Sequence, residues 1–186
     1  MTTKNFLASC AKATFALAAV VMMSAVLTSC SKDNDDEPTP QLGTVTIDGK
    51  EKPILKARYL NAGAGLVSLF LFLSKDGKEQ MFLLLDKEQH INTKPISLDD
   101  DKNGDKVTRA IAYYNRRGAL VFKASMPRDM VDNTYFTAGT LTVNGSTDEE
   151  MSIVLKDGNV NVVRDRYSVE INFKGIVLQL TEEDFQ

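Results

Sequence analysis

From about residue 43 to the end of the chain, apolar side chains recur at every second position, in short runs set off by Asx-Gly dipeptides. Tyr167, Val169, Ile171 and Phe173 alternate with Ser168, Glu170, Asn172 and Lys174. A period of two puts successive side chains on opposite faces of an extended strand, so this segment has one dry face and one wet face. The same alternation marks Val45 and Ile47, then Leu55, Ala57 and Tyr59, then Leu141 and Val143, then Met151, Ile153 and Leu155. The dipeptides Asp48-Gly49, Asp76-Gly77, Asn103-Gly104, Asn144-Gly145 and Asp157-Gly158 accept the positive φ angles of tight hairpin turns and predict five hairpins. No window of ten or more residues carries a capped 3.6-residue period, and the best helical candidate is a turn or so around residues 127–131. The expected fold is all-β, an antiparallel meander forming a small barrel or a β-sandwich.

Two segments break the alternation: Leu69-Phe70-Leu71-Phe72-Leu73 and Met81-Phe82-Leu83-Leu84-Leu85, joined through Asp76-Gly77. A strand apolar on both faces wants both covered. Either this hairpin is a central core pair, or one of its faces lines an apolar cavity or an interface.

The chain has 186 residues, a single-domain length that leaves about 150 to build a core once an N-terminal segment is set aside. That segment has Lys4 and Lys12 as its only charges, then fifteen uncharged residues at 13–27, slightly short of the roughly 20 that span a bilayer. It reads as a cleaved export signal. Beyond it, twenty basic residues face twenty-five acidic ones, a net charge of −5 that repels phosphate backbones; Arg116-Arg117 beside Gly118 reads as hairpin decoration. Nucleic acid is not an expected partner. Cys10 and Cys30 are the only cysteines, so the domain has no internal disulfide, and without Trp it lacks the largest aromatic platform for sugar rings.

Leu27-Thr28-Ser29-Cys30 resembles the lipobox of bacterial lipoproteins, which implies cleavage before Cys30 and lipidation of that residue. Several acyl chains, as that family carries, hold a protein on a membrane permanently. Ser31-Lys32-Asp33-Asn34-Asp35-Asp36-Glu37 and Pro38-Thr39-Pro40 form a polar, acidic, proline-punctuated tether. Its arrangement is similar to the surface-export signal of Bacteroidota lipoproteins, which implies display on the outer face of the outer membrane. The expected organisation is therefore a signal peptide at 1–29, a lipidated cysteine and flexible tether at 30–41, and a β domain at 42–186. Within that domain, Gly43-Thr-Val-Thr-Ile-Asp-Gly-Lys resembles the opening hairpin of small lipocalin-like, or calycin-like, surface lipoproteins of Bacteroidota. The runs Gly139-Thr-Leu-Thr-Val, Met151-Ser-Ile-Val-Leu-Lys-Asp-Gly and Tyr167-Ser-Val-Glu-Ile-Asn-Phe-Lys-Gly are similar to their last strands. The resemblance implies a β fold and a surface location, and it carries no catalytic residues across.

Chemistry-bearing patterns are sparse. His90 is the only histidine and lies in the polar stretch Lys87-Glu-Gln-His-Ile-Asn, which reads as an exposed loop. With no Cys in the domain, a thiolate or His-rich metal site is excluded, and no Gly-x-Ser-x-Gly elbow is present. Gly63 and Gly65 lack the partners of a dinucleotide or phosphate loop and read as turn glycines. Asp99, Asp101, Asn103 and Asp105 around Gly104 match the first half of an EF-type calcium loop, but Ala110 stands where the closing Glu belongs. Calcium is thus the one cofactor to consider, against a plain acidic hairpin tip. The tail acids Glu182-Glu183-Asp184 read as solvated.

The expected role is a non-catalytic binding or interaction module, held on the membrane by its lipid and contacting a glycan, an apolar ligand or another outer-membrane protein. The alternatives are a polysaccharide hydrolase working through two carboxylates and a structural or adhesin subunit. Contacts would fall on loops around residues 89–105 and 126–137, and Tyr113, Tyr114, Tyr135 and Phe136 are the aromatics singled out for binding.

Overall fold

The computed structural model describes residues 41–99, 110–126, 134–162 and 164–185. Twelve strands make one sheet. They are β1 (Gly43–Ile47), β2 (Lys50–Pro53), β3 (Lys56–Gly63), β4 (Leu66–Phe72), β5 (Gln80–Asp86), β6 (Ile96–Ser97), β7 (Ala110–Arg116), β8 (Ala119–Met126), β9 (Tyr135–Asn144), β10 (Glu150–Val162), β11 (Asp165–Ile176) and β12 (Leu178–Gln179). The path runs β12-β3-β4-β5-β7-β8-β9-β10-β11-β1-β2, with β6 paired to β9. Neighbours are antiparallel except β12 with β3 and a single β8 to β9 pair, Ser125 with Tyr135. The sheet curls into a half-barrel, so the expected all-β fold holds in its barrel form.

The chain itself stitches the two edges of this sheet. Ile54 still pairs across Leu42 and Gly43, whereas the next residue, Leu55, donates its N–H to Phe72 O in β4 at 2.9 Å. The strand read from Leu55, Ala57 and Tyr59 is therefore β3, with the short β2 before it. Ile54, buried at the crossing, fills the core that Leu55 only borders. A second crossing follows β11, where the single residue Val177 leads into β12 beside β3.

Inward positions match the alternation: Val45, Ile47, Ala57, Tyr59, Leu141, Val143, Met151, Ile153, Leu155, Val169, Ile171 and Phe173 are all buried in one cluster. Leu69, Leu71, Met81, Leu83 and Leu85 join them from the apolar hairpin. Each large aliphatic side chain so buried contributes about 1.5–3 kcal/mol. A void beside Leu83, Ala112, Phe136 and Leu155 is about 10 Å³, at the lower limit for one water.

Three of the five dipeptides sit in hairpin connections. Asp48 (φ 50°) and Gly49 (φ 72°) form a two-residue turn between Ile47 and Lys50, the geometry that follows strand twist. Asp76-Gly77 lies in the β4 to β5 connection, and Asn144 ends β9 with Gly145 opening the connection to β10. Asp157-Gly158 is a correction: it is a bulge inside β10, where the registers to β9 and β11 both shift. There Gly158 packs against Gly139 of β9, and a Cβ on Gly158 would lie 2.4 Å from Val169 O. Two glycines facing each other let the sheet bend sharply. Gly63 and Gly65 flank a β3 to β4 turn, and Arg117-Gly118 turns β7 into β8, as read from sequence. Asn103-Gly104 and the helical candidate at 127–131 lie outside the described residues.

A four-residue helix, α1 (Lys87–His90), follows β5. Asp86 caps it, Oδ1 accepting from the Glu88 and Gln89 N–H groups at 2.9 and 3.0 Å. His90, expected in an exposed loop, is instead 0% exposed, its Nδ1 accepting from the Asp86 N–H at 2.8 Å. The turn tucks His90 inward, and the chain beyond it pairs with β9 through Ile91 and β6, a stretch where no β8 pair is made among the described residues.

Candidate functional site

The inner face of the apolar hairpin belongs to the core, and its outer face carries the aromatics. Strand register sets Arg58, Phe70, Phe82, Tyr113 and Lys123 in one row across β3, β4, β5, β7 and β8. Phe70 and Phe82 meet edge to face at 5.0 Å between centroids, and Phe82 and Tyr113 at 5.1 Å, the arrangement ring quadrupoles prefer. All three rings are partly exposed. Gln80 and Asn115 pair in the row on one side, and Ser68 and Leu84 in the row on the other. Together with Ala62 these residues line an open depression of about 470 Å³. No lining residue is charged. Among the described residues the Gln80 Oε1 atom is buried without a hydrogen-bond partner, which costs about 1–3 kcal/mol.

The four aromatics singled out from sequence occupy different environments. Tyr113 stands in the outer row, whereas Tyr114, its neighbour, points inward and is 3% exposed, as is Phe136 beside the small core void. Tyr135 is half-buried next to Ser125. Phe70, Phe82 and Gln80, which complete the row with Tyr113, were not picked out from sequence because an uninterrupted apolar run does not reveal which members face outward. Asp99 is half-buried and its N–H reaches Ser97 Oγ at 3.3 Å. Asp101, Asn103, Asp105 and Cys30 lie outside the described residues. Among the described residues no group of three or more His, Cys, Asp or Glu is placed to hold a metal ion.

Two polar clusters clasp the seam. Tyr114 Oη donates to Glu79 Oε1, which Lys52 of β2 reaches at 2.8 Å. Burial and the Glu79 carboxylate both push the Tyr114 hydroxyl upward. Burial opposes ionisation of Glu79, but Lys52, the Tyr114 hydroxyl and Arg116 outweigh it and hold the carboxyl below its usual range. Both groups therefore keep fixed protonation states at neutral pH, which suits a clasp and not a proton-transfer pair. On the other side Asp184, expected to be solvated, is 7% exposed. It takes Arg58 Nε at 3.0 and 3.1 Å and Lys56 Nζ at 2.8 Å, and caps the last turn through the Thr181 N–H at 2.9 Å. Lys56 also lies 4.8 Å above the buried Phe72 ring.

Comparison of the chain with known protein families, curated proteins and solved structures returned no match. No helix among the described residues is long and apolar enough to cross a membrane.

Proposed function

We propose that this chain is a lipoprotein tethered to the outer-membrane surface through Cys30, and that its β domain is a non-catalytic binding module working through its outer face. The observation that carries the binding role is the row Phe70, Phe82 and Tyr113, three partly exposed rings on the outer face of the curled sheet. A contiguous aromatic patch left partly exposed marks a recognition surface. The tether role rests on Leu27-Thr28-Ser29-Cys30 and on the acidic leash after it. Fatty-acid labelling of cells tests the anchor: incorporation lost in Cys30→Ser supports it, and incorporation retained overturns it. Protease shaving of intact cells tests display, since a buried periplasmic protein survives the treatment.

A further inference from the structure

We propose that the depression on the outer face of β4, β5 and β7 binds a neutral sugar ring of an oligosaccharide. The inference deepens the binding-module reading and rests on it. A pyranose offers an apolar C–H face and a rim of hydroxyls, and the depression offers the complement of each. Phe70, Phe82 and Tyr113 supply the aromatic surface, and the Gln80 side chain lies on the same lining. Asn115, Ser68 and the Tyr113 hydroxyl add neutral hydrogen-bonding groups along the same lining.

Charge and shape decide against other occupants. A fatty acid or an acidic sugar needs a cation for its carboxylate, but none lines the depression, and of the two cations that end the aromatic row Arg58 is held by Asp184 and Lys123 is engaged in an interaction of its own. An acyl chain also needs an enclosed cavity, whereas this depression is open to solvent. Its volume of about 470 Å³ lies in the small-ligand range.

The test uses the full lipidated chain in detergent micelles, titrated calorimetrically with neutral α- and β-linked glucan, mannan and xylan oligosaccharides, with polygalacturonate and palmitate as contrasting probes. Binding of a neutral oligosaccharide is expected, weakened at least tenfold by Gln80→Leu and by Tyr113→Ala but less than threefold by Tyr113→Phe, with melting temperatures close to the parent's. Neutral-sugar binding that these variants leave unchanged overturns the site. Binding of palmitate or polygalacturonate alone, lost in the same variants, overturns the sugar and leaves a binding module. A photo-reactive residue at position 113 covers the remaining arm: if no probe binds, a protein cross-linked on intact cells overturns the sugar alone, and no cross-link overturns both readings.

Discussion

Replacing Asp184 by Asn tests how the C-terminal segment is held to the sheet. The carboxylate is buried and faces two cations of β3, Lys56 at 2.8 Å and Arg58 at 3.0 Å. Burial alone raises its pKa, but Lys56, the Thr181 N–H and Arg58 outweigh burial and bring it from 3.8 down to about 2. At roughly 1.4 kcal/mol per pKa unit the charged form contributes about 2 kcal/mol to folding. The folded-state pKa lies below the unfolded one, so this contribution is complete well above pH 3.8, begins to shrink as pH approaches that value, and is lost as pH falls through about 2. Asp184→Asn keeps the shape and removes the charge, so about 2 kcal/mol should be lost at pH 7. For a domain of this size that is a melting-point drop of about 4–8 °C. Urea titrations at pH 7, 4 and 2 measure the gap between parent and variant, which should narrow at pH 4 and nearly vanish at pH 2. Equal stability at pH 7, or a gap unchanged at pH 2, refutes the assignment of Asp184 as the charged latch.

Gly158→Ala should destabilise by about 2 kcal/mol or more, because the new methyl would sit 2.4 Å from Val169 O; thermal denaturation reads this directly. Leu69→Ala, in the filled core, should cost about 2–5 kcal/mol by urea titration, while the exposed Leu60 truncated the same way should cost less than about 0.5 kcal/mol. Tyr114→Phe removes the donor to Glu79 at the seam and should cost about 1–2 kcal/mol. Amide hydrogen exchange should then show faster opening of β2 than of β10, since β2 is the edge strand that Lys52 ties down.

Much of the fold was legible because half-buried strands write their burial into a local period. Tyr167, Val169, Ile171 and Phe173 needed only their own neighbours to declare a dry face. The failures share a cause, which is that a distant partner made the decision. Asp157-Gly158 has the chemistry of a turn, but Gly139 on β9 and Val169 on β11 make it a bulge. The polar neighbours of His90 suggested a loop, and a four-residue helix is too short to show a period. Asp184 looked like a tail acid because its cation Arg58 lies 126 residues away along the chain.

The aromatic row was illegible for a related reason, and that reason ties the site to the fold. Phe70 and Phe82 sit in runs apolar at every position, so only strand register decides that they face outward beside Tyr113. A slip of one residue would send Phe70 inward and Leu69 or Leu71 outward, replacing the rings by aliphatic side chains. The two-residue turns at Ala64-Gly65 and Arg117-Gly118 set the register of β4 on β3 and of β8 on β7. The inward side chains Val67, Leu69 and Leu71 hold β4, and Met81, Leu83 and Leu85 hold β5. Lengthening the Ala64-Gly65 turn by one residue would therefore disturb outer-face binding more than an Ala substitution at the exposed Leu120 of β8. The inward side chains that pack the core are the same ones that align the rings outside.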